Sequence, residues 1–216
     1  MILEFFIIKD RIARLFSLIP QNGNENVLDL GCGNAPYYHM HIKGKLVCFD
    51  VIKTKKVDIV GDAGYLPFKA NFFDKVVSVN SFYYFKNPFN VIGDVSRILK
   101  KNGKLILVVP FFYPIHDIPV DKYRFTEYGL RNILEKKFKI EKLQAIGGIF
   151  TLPSVICHSA MKGVPHWLPE RMRKLSKIAA YALFPLYVLS QFLSIFDFID
   201  KTKRVPTYYF VIASKK

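Results

Sequence analysis

Residues 27–33 read VLDLGCG, an apolar run interrupted only by an aspartate and then turned by two glycines one residue apart. A short apolar run of this kind, bounded by glycine, reads as a strand buried on both faces. Gly31 and Gly33 let the backbone pass close to a ligand, because neither carries a Cβ. A helix expected to start near Ala35-Pro36 would add free backbone amides, so a nucleotide-like cofactor is the natural occupant. The dinucleotide fingerprint is not met: the third glycine of GxGxxG would fall at position 36, which is Pro36.

Working outward from this turn, short apolar runs alternate with helical stretches. Strands are expected at 46–51, 57–60, 76–79 and 105–109. Between the last two, Val91, Ile92, Val95, Ile98 and Leu99 share one helical face over 88–101, and Asn102-Gly103 is expected to stop that helix. A further amphipathic helix is expected over 126–137, with strands at 138–145 and 208–213. At the N-terminus, Phe5, Ile8, Ile12, Leu15 and Phe16 recur at helical spacing up to Pro20, with no basic region ahead of them and no small-residue cleavage site behind, so a helix is expected and a signal peptide is not. The alternation predicts an α/β fold with a doubly wound, largely parallel sheet.

Composition narrows the class. Over 216 residues the hydrophobic fraction is 51% and the aromatic fraction 15%, far above that of a disordered chain. Cys32, Cys48 and Cys157 are odd in number and form no CxxC, so neither a disulfide framework nor a zinc site is expected, and a reducing, cytoplasmic setting fits. The net charge of +15 is unevenly spread, at +4 over residues 1–100 and +11 over 101–216. Such an excess suits an anionic partner, whether nucleic acid, an anionic membrane surface or a phosphorylated substrate.

Taken together, the motifs resemble the class I S-adenosylmethionine-dependent methyltransferases, in their type 11-like form. The first family motif, an acid and then GxG, is similar to Asp29-Leu30-Gly31-Cys32-Gly33. The acid that holds the ribose hydroxyls at the end of the second strand corresponds to Asp50, followed by Val51, in LVCFDV. A carboxylate can accept hydrogen bonds from both hydroxyls of a vicinal diol. The adenine contacts correspond to Asp62 and Ala63 and the turn Leu66-Pro67-Phe68 in GDAGYLPF, and FDKVVSVNSFYYF, with Asn80, resembles the fourth strand and its end. The resemblance spans about residues 26–112 and implies a seven-stranded Rossmann-like sheet, S-adenosylmethionine as cofactor and no metal.

The acceptor side is read from PFFYPIHDIPVDKYRFTEYGLRNIL, at the crevice end of the fifth strand. Its string HD, then D-x-Y-R-F-T, resembles a subgroup associated with surface-glycan and lipid pathways. His116 is the candidate general base, since an imidazole accepts a hydroxyl proton at neutral pH. Asp117 or Asp121 could orient it or act itself. Tyr113, Tyr123 and Arg124 are candidate substrate contacts, Arg124 either as a clamp on an anionic acceptor group or paired internally with an aspartate.

One stretch breaks the rhythm. Residues 178–196 are nineteen consecutive uncharged residues, long enough for a membrane span, with Arg171, Arg173, Lys174 and Lys177 before them and Asp197, Asp200, Lys201, Lys203 and Arg204 after. A single span would separate the last strand from the sheet it should complete. A buried helical hairpin or homodimer contact, and a peripheral membrane contact through 171–199, are the other readings. The expected organisation is one domain over 1–216: an N-terminal helix at 1–19, a cofactor-binding core at 26–147, a hydrophobic and basic helical insert at 148–206 and a final strand at 207–214. The expected activity is methyl transfer to a hydroxyl of a lipid, a lipid-linked glycan or another apolar small molecule. An RNA methyltransferase and a non-catalytic, cofactor-binding scaffold are the rivals, nucleic acid being the less favoured partner because no RNA-binding module is present and the motif-bearing half is only mildly basic.

Overall fold

The computed structural model describes residues 6–34, 37–167 and 169–216. Seven strands form one sheet: β1 (Asn26–Leu30), β2 (Lys45–Asp50), β3 (Ile59–Val60), β4 (Phe73–Val79), β5 (Leu99–Pro110), β6 (Phe138–Ile146) and β7 (Tyr208–Lys215). Their order is β3-β2-β1-β4-β5-β7-β6. The pairs among β1 to β5 are parallel, and β7 runs antiparallel to β5 from Lys104↔Ser214 to Pro110↔Tyr208. Val27, Leu28, Val76, Leu107, Val108, Phe210 and Val211 are almost wholly buried, as expected of a sheet covered on both faces.

Six helices accompany the sheet among the described residues: α1 (Phe6–Ser17), α2 (Pro88–Ile98), α3 (Glu127–Leu134), α4 (Leu152–Trp167), α5 (Arg173–Ala182) and α6 (Phe184–Leu193). Asn87 caps α2 by accepting from the Asn90 amide, and Pro88 occupies its first turn. Thr126 caps α3 in the same way through the Gly129 amide.

Three expectations change. Helix α2 ends at Ile98, and β5 starts at once at Leu99. Asn102 (φ +62) and Gly103 therefore do not cap a helix. They lie where the β4–β5 register shifts between Phe73 and Lys75, and a Cβ on Gly103 would meet the Lys100 carbonyl at 2.9 Å. Between β1 and β2, residues 37–44 contain one short 3₁₀ turn, His39–His41, instead of an α-helix. The expected helix start at Ala35-Pro36, like Phe5, lies outside the described residues. The third strand is shorter than expected, only Ile59–Val60.

The chain divides into two compact units. The larger comprises 12–111, 115–144 and 208–216, and the smaller 1–11, 112–114 and 145–207. In the larger unit Phe16 stacks on Tyr38 and meets Phe210 edge-on. In the smaller, α4 packs against α5 and α6, and a 3₁₀ segment, Ser194–Phe198, continues α6.

Candidate active site

The larger unit gathers the motif residues at the carboxyl ends of β1, β2 and β4, where α/β sheets hold their ligands. The two motif glycines have different tasks. Gly31 (φ +80) lies against Ser81, whose Cβ and Oγ would stand 2.3 and 2.5 Å from an added Cβ. Ser81 cannot retreat, since its hydroxyl donates to the Leu30 carbonyl at 2.8 Å and shares a 2.6 Å hydrogen bond with Ser78. Gly31 thus lets the ends of β1 and β4 close together. Gly33 (φ +64) has no atom of the described residues within 4 Å of its would-be Cβ, so its bare backbone faces open space.

Asp50 supports that open turn. One of its oxygens accepts the Gly33 amide at 2.8 Å, the other the Ile52 amide at 3.0 Å. A carboxylate has about four lone-pair sites, so capacity remains for a vicinal diol. Val51 beside it is exposed. At the end of β4, Asn80 adopts φ +54, and its side-chain oxygen is buried with no hydrogen-bond partner among the described residues. A buried acceptor without a donor is costly, and a ligand donor would satisfy it. Asp62 is exposed and closes its own turn through the Gly64 amide at 2.8 Å, while Ala63 is buried. The following Leu66-Pro67-Phe68 turn is tied to α2, with Arg97 donating to the Leu66 and Phe68 carbonyls at 3.0 and 2.6 Å.

Asp29 is fully buried. The Tyr38 phenol donates to its oxygens at 2.9 and 2.8 Å, and His39 Nε2 stands 2.5 Å away. Burial pushes the carboxyl above its ordinary range, and these two donors pull against it. With Cys48 Sγ, these groups bring three potential ligand atoms within 4.8 Å of one another. Cys32 packs with Cys48 and Val57 against Leu46, and burial pushes its thiol well up. That is a packing role, not that of a reactive thiolate.

Beyond β5, His116 is held from several sides. Its Nδ1 lies 3.2 Å from Asp121, which also accepts the His116 backbone amide at 3.1 Å. Asp121 is in turn gripped by both Arg124 terminal nitrogens, at 2.5 and 2.7 Å. Those hydrogen bonds hold its carboxyl below the ordinary range. Arg124 therefore takes the internally paired arrangement, and its guanidinium also covers the Tyr83 ring at 5.4 Å. His116 Nε2 meets the Tyr83 and Tyr84 hydroxyls at 2.9 and 3.0 Å. Tyr84 also donates to Asp117 at 2.7 Å. Asp117 is exposed, at φ +50, and 3.9 Å from the ring nitrogen, so Asp121 is the nearer carboxylate. Burial pushes both phenols up, so they stand protonated as donors.

Tyr123 donates to the Lys86 carbonyl at 3.2 Å and stacks on Phe125, a packing position. Tyr113 belongs to the smaller unit. Tyr83 and Tyr84 were not among the residues singled out from the sequence. Their signal was position, directly after the fourth strand in SFYYF, at the same end of the sheet as the glycine turn.

Comparison with known proteins agrees with this geometry. Residues 28–107 match a family model described as a methyltransferase domain. The Methanocaldococcus jannaschii protein MJ0638 is 27% identical over 187 residues, 80% of each chain. Among solved structures, an S-adenosylmethionine-dependent methyltransferase from Mesorhizobium loti superposes with TM-score 0.58 at 15% identity, over 96% of this chain and 97% of that one. A chain of the complex between the Haloferax volcanii Trm112 methyltransferase activator and a methyltransferase does so with TM-score 0.59 at 16% identity, over 96% and 88%. The open turn at Gly33, the Asp50 carboxylate and the buried Asn80 oxygen suit S-adenosylmethionine, with its diol and its amino groups. The chain thus has the class I S-adenosylmethionine-dependent methyltransferase fold, and its residues 28–107 match the methyltransferase-domain family.

Proposed function

We propose that the protein methylates a hydroxyl of a lipid, a lipid-linked glycan or another apolar small molecule, with His116 as general base. The observation that carries this reading is the fixed relay Arg124–Asp121–His116, which leaves Nε2 as the ring nitrogen that takes up a proton. S-adenosylmethionine supplies an electrophilic methyl group on a sulfonium, so the protein's tasks are alignment and removal of one proton. Asp29, Gly33, Asp50 and Asn80 would hold the cofactor, with Asp62 and Ala63 at the adenine side.

With Nδ1–H directed at Asp121, Nε2 presents its lone pair. An acceptor hydroxyl takes the place of the Tyr84 phenol, whose proton is already shared with Asp117. Tyr83, its ring buried beneath Arg124, turns its O–H away from Nε2, so that the single lone pair is free for the acceptor hydroxyl. As the acceptor oxygen gains the methyl group, its proton passes to Nε2, and ionised Asp121 stabilises the resulting imidazolium. The proton then leaves to water. An apolar acceptor is supported by Ile115, Ile118 and Val120, exposed side chains on the same loop as His116.

The test is turnover in His116→Ala and Asp121→Asn. Loss of about 10²- to 10⁴-fold for His116→Ala, with cofactor binding intact, is expected of a lost general base. A His116→Ala enzyme with full turnover would remove His116 from the mechanism.

A further inference from the structure

The smaller unit is built with its polarity reversed. Along α6 and the 3₁₀ segment after it, Ser190, Gln191, Ser194 and Asp197 are 1–3% exposed. On the same segment and its end, Leu186, Leu189, Phe192, Ile195, Phe198 and Ile199 are 50–73% exposed. A helix in water does the opposite, turning its apolar stripe inward and its polar face out. Among the described residues most of these buried polar groups find partners, while the Gln191 side-chain nitrogen is buried without one. Asp197 pairs with Arg11 at 2.8 Å and accepts the Thr151 amide at 3.2 Å and the Thr151 hydroxyl. The Ser190 and Ser194 hydroxyls donate to the carbonyls of Tyr187 and Gln191 at 2.7 and 2.6 Å. The apolar exterior calls for an apolar phase to cover it.

Length and hydropathy point to a membrane, since Ile178–Phe198 has a mean hydropathy of 1.7 and only 28% of that window is buried. A single crossing is incompatible with the sheet. It would put β7 across the bilayer from β5, to which β7 is paired along its length. Charge selects the surface. Residues 145–207 carry eight basic and three acidic side chains, a net of +5, with basic residues at both ends of the apolar run. Anionic headgroups attract such a collar, whereas two copies of this unit would repel each other.

We infer that the α5–α6 segment is a monotopic docking surface for an anionic lipid bilayer, lying in the interface with its apolar side chains among the acyl chains. This holds whatever the methyl acceptor is. The test uses the full chain in flotation assays, with phosphatidylcholine vesicles and with vesicles containing about 30% phosphatidylglycerol. Expected are flotation with the anionic vesicles, weaker flotation with the neutral ones, and a loss of at least about tenfold for Leu189→Asp/Phe192→Asp/Phe198→Asp. Thermal stabilisation by S-adenosylmethionine reports whether that variant is folded, and Phe198→Asp alone, at the most exposed of the three positions, should show a smaller loss in the same direction. Failure to float with either vesicle would overturn the inference. So would a detergent-free dimer that the triple variant converts to monomer without any vesicle binding.

Discussion

Gly31→Ala and Gly33→Ala remove the same hydrogen from neighbouring turns, yet they should fail in different ways. Both glycines have positive φ, +80 and +64, which costs an alanine about 1–2 kcal/mol. At Gly31 the new methyl would also stand 2.3 Å from Ser81 Cβ. Relieving that overlap in a closed strand junction adds about 1–3 kcal/mol. The sum of about 2–5 kcal/mol corresponds to a fall in melting temperature of about 4–20 °C, at roughly 2–4 °C per kcal/mol for a chain of this size. Gly33→Ala meets no atom, so it should lower the melting temperature by only about 2–8 °C. Its methyl projects instead into the space assigned to the cofactor, and stabilisation by S-adenosylmethionine should be lost. Differential scanning fluorimetry with and without S-adenosylmethionine separates the two. Adding Ser81→Gly to Gly31→Ala should recover the overlap part alone. Equal stability losses, or a Gly33→Ala protein that keeps its cofactor response, would refute the division of labour.

Other outcomes follow from the same geometry. Asp50→Ala removes the carboxylate that supports the Gly33 turn and is assigned to the cofactor diol, so S-adenosylmethionine affinity by calorimetry should fall about 10- to 100-fold, as for one charge-assisted hydrogen bond of roughly 1.5–3 kcal/mol. Asp121→Asn should cut turnover at least about tenfold, whereas Asp117→Asn should stay within about threefold of wild type, because only Asp121 holds the His116 ring at Nδ1. Asp121 is held below its ordinary value of 3.8 in the folded protein, so the stability of its ion pair is complete above that pH and lost as pH falls through the lower, folded value. Chemical denaturation of wild type and Asp121→Asn should therefore converge as the pH is lowered below about 4.

Much of this was legible in the sequence, and the exceptions have physical causes. Buried parallel strands are short apolar runs, so β1, β4 and β5 and the final antiparallel strand are read from Val27, Val76, Leu105 and Tyr208 with little competition. The early start of β5 at Leu99 was hidden, because a leucine at helical spacing and an Asn-Gly pair describe a helix end equally well until β4 lies alongside. Asp50 and the glycines were marked by their place in the motif. The difference between Gly31 and Gly33 was not, since it depends on Ser81, fifty residues away in sequence. His116 was legible as a type of residue in a plausible loop. Its phenol neighbours arrive from the turn after β4, and the choice of Asp121 over Asp117 is made by Arg124, so neither could be read locally. The uncharged run at 178–196 left a buried hairpin or dimer contact, a membrane patch and a span open, and the burial of the neighbouring Asp197 became meaningful only once its partners Arg11 and Thr151 were placed.

The most direct test of the account is to supply the protein with methyl-labelled S-adenosylmethionine and a whole-cell extract, then separate lipid, RNA and protein. Label in the organic-soluble lipid fraction, alkali-stable as an ether and absent with His116→Ala, is the predicted result. Label confined to RNA would contradict it.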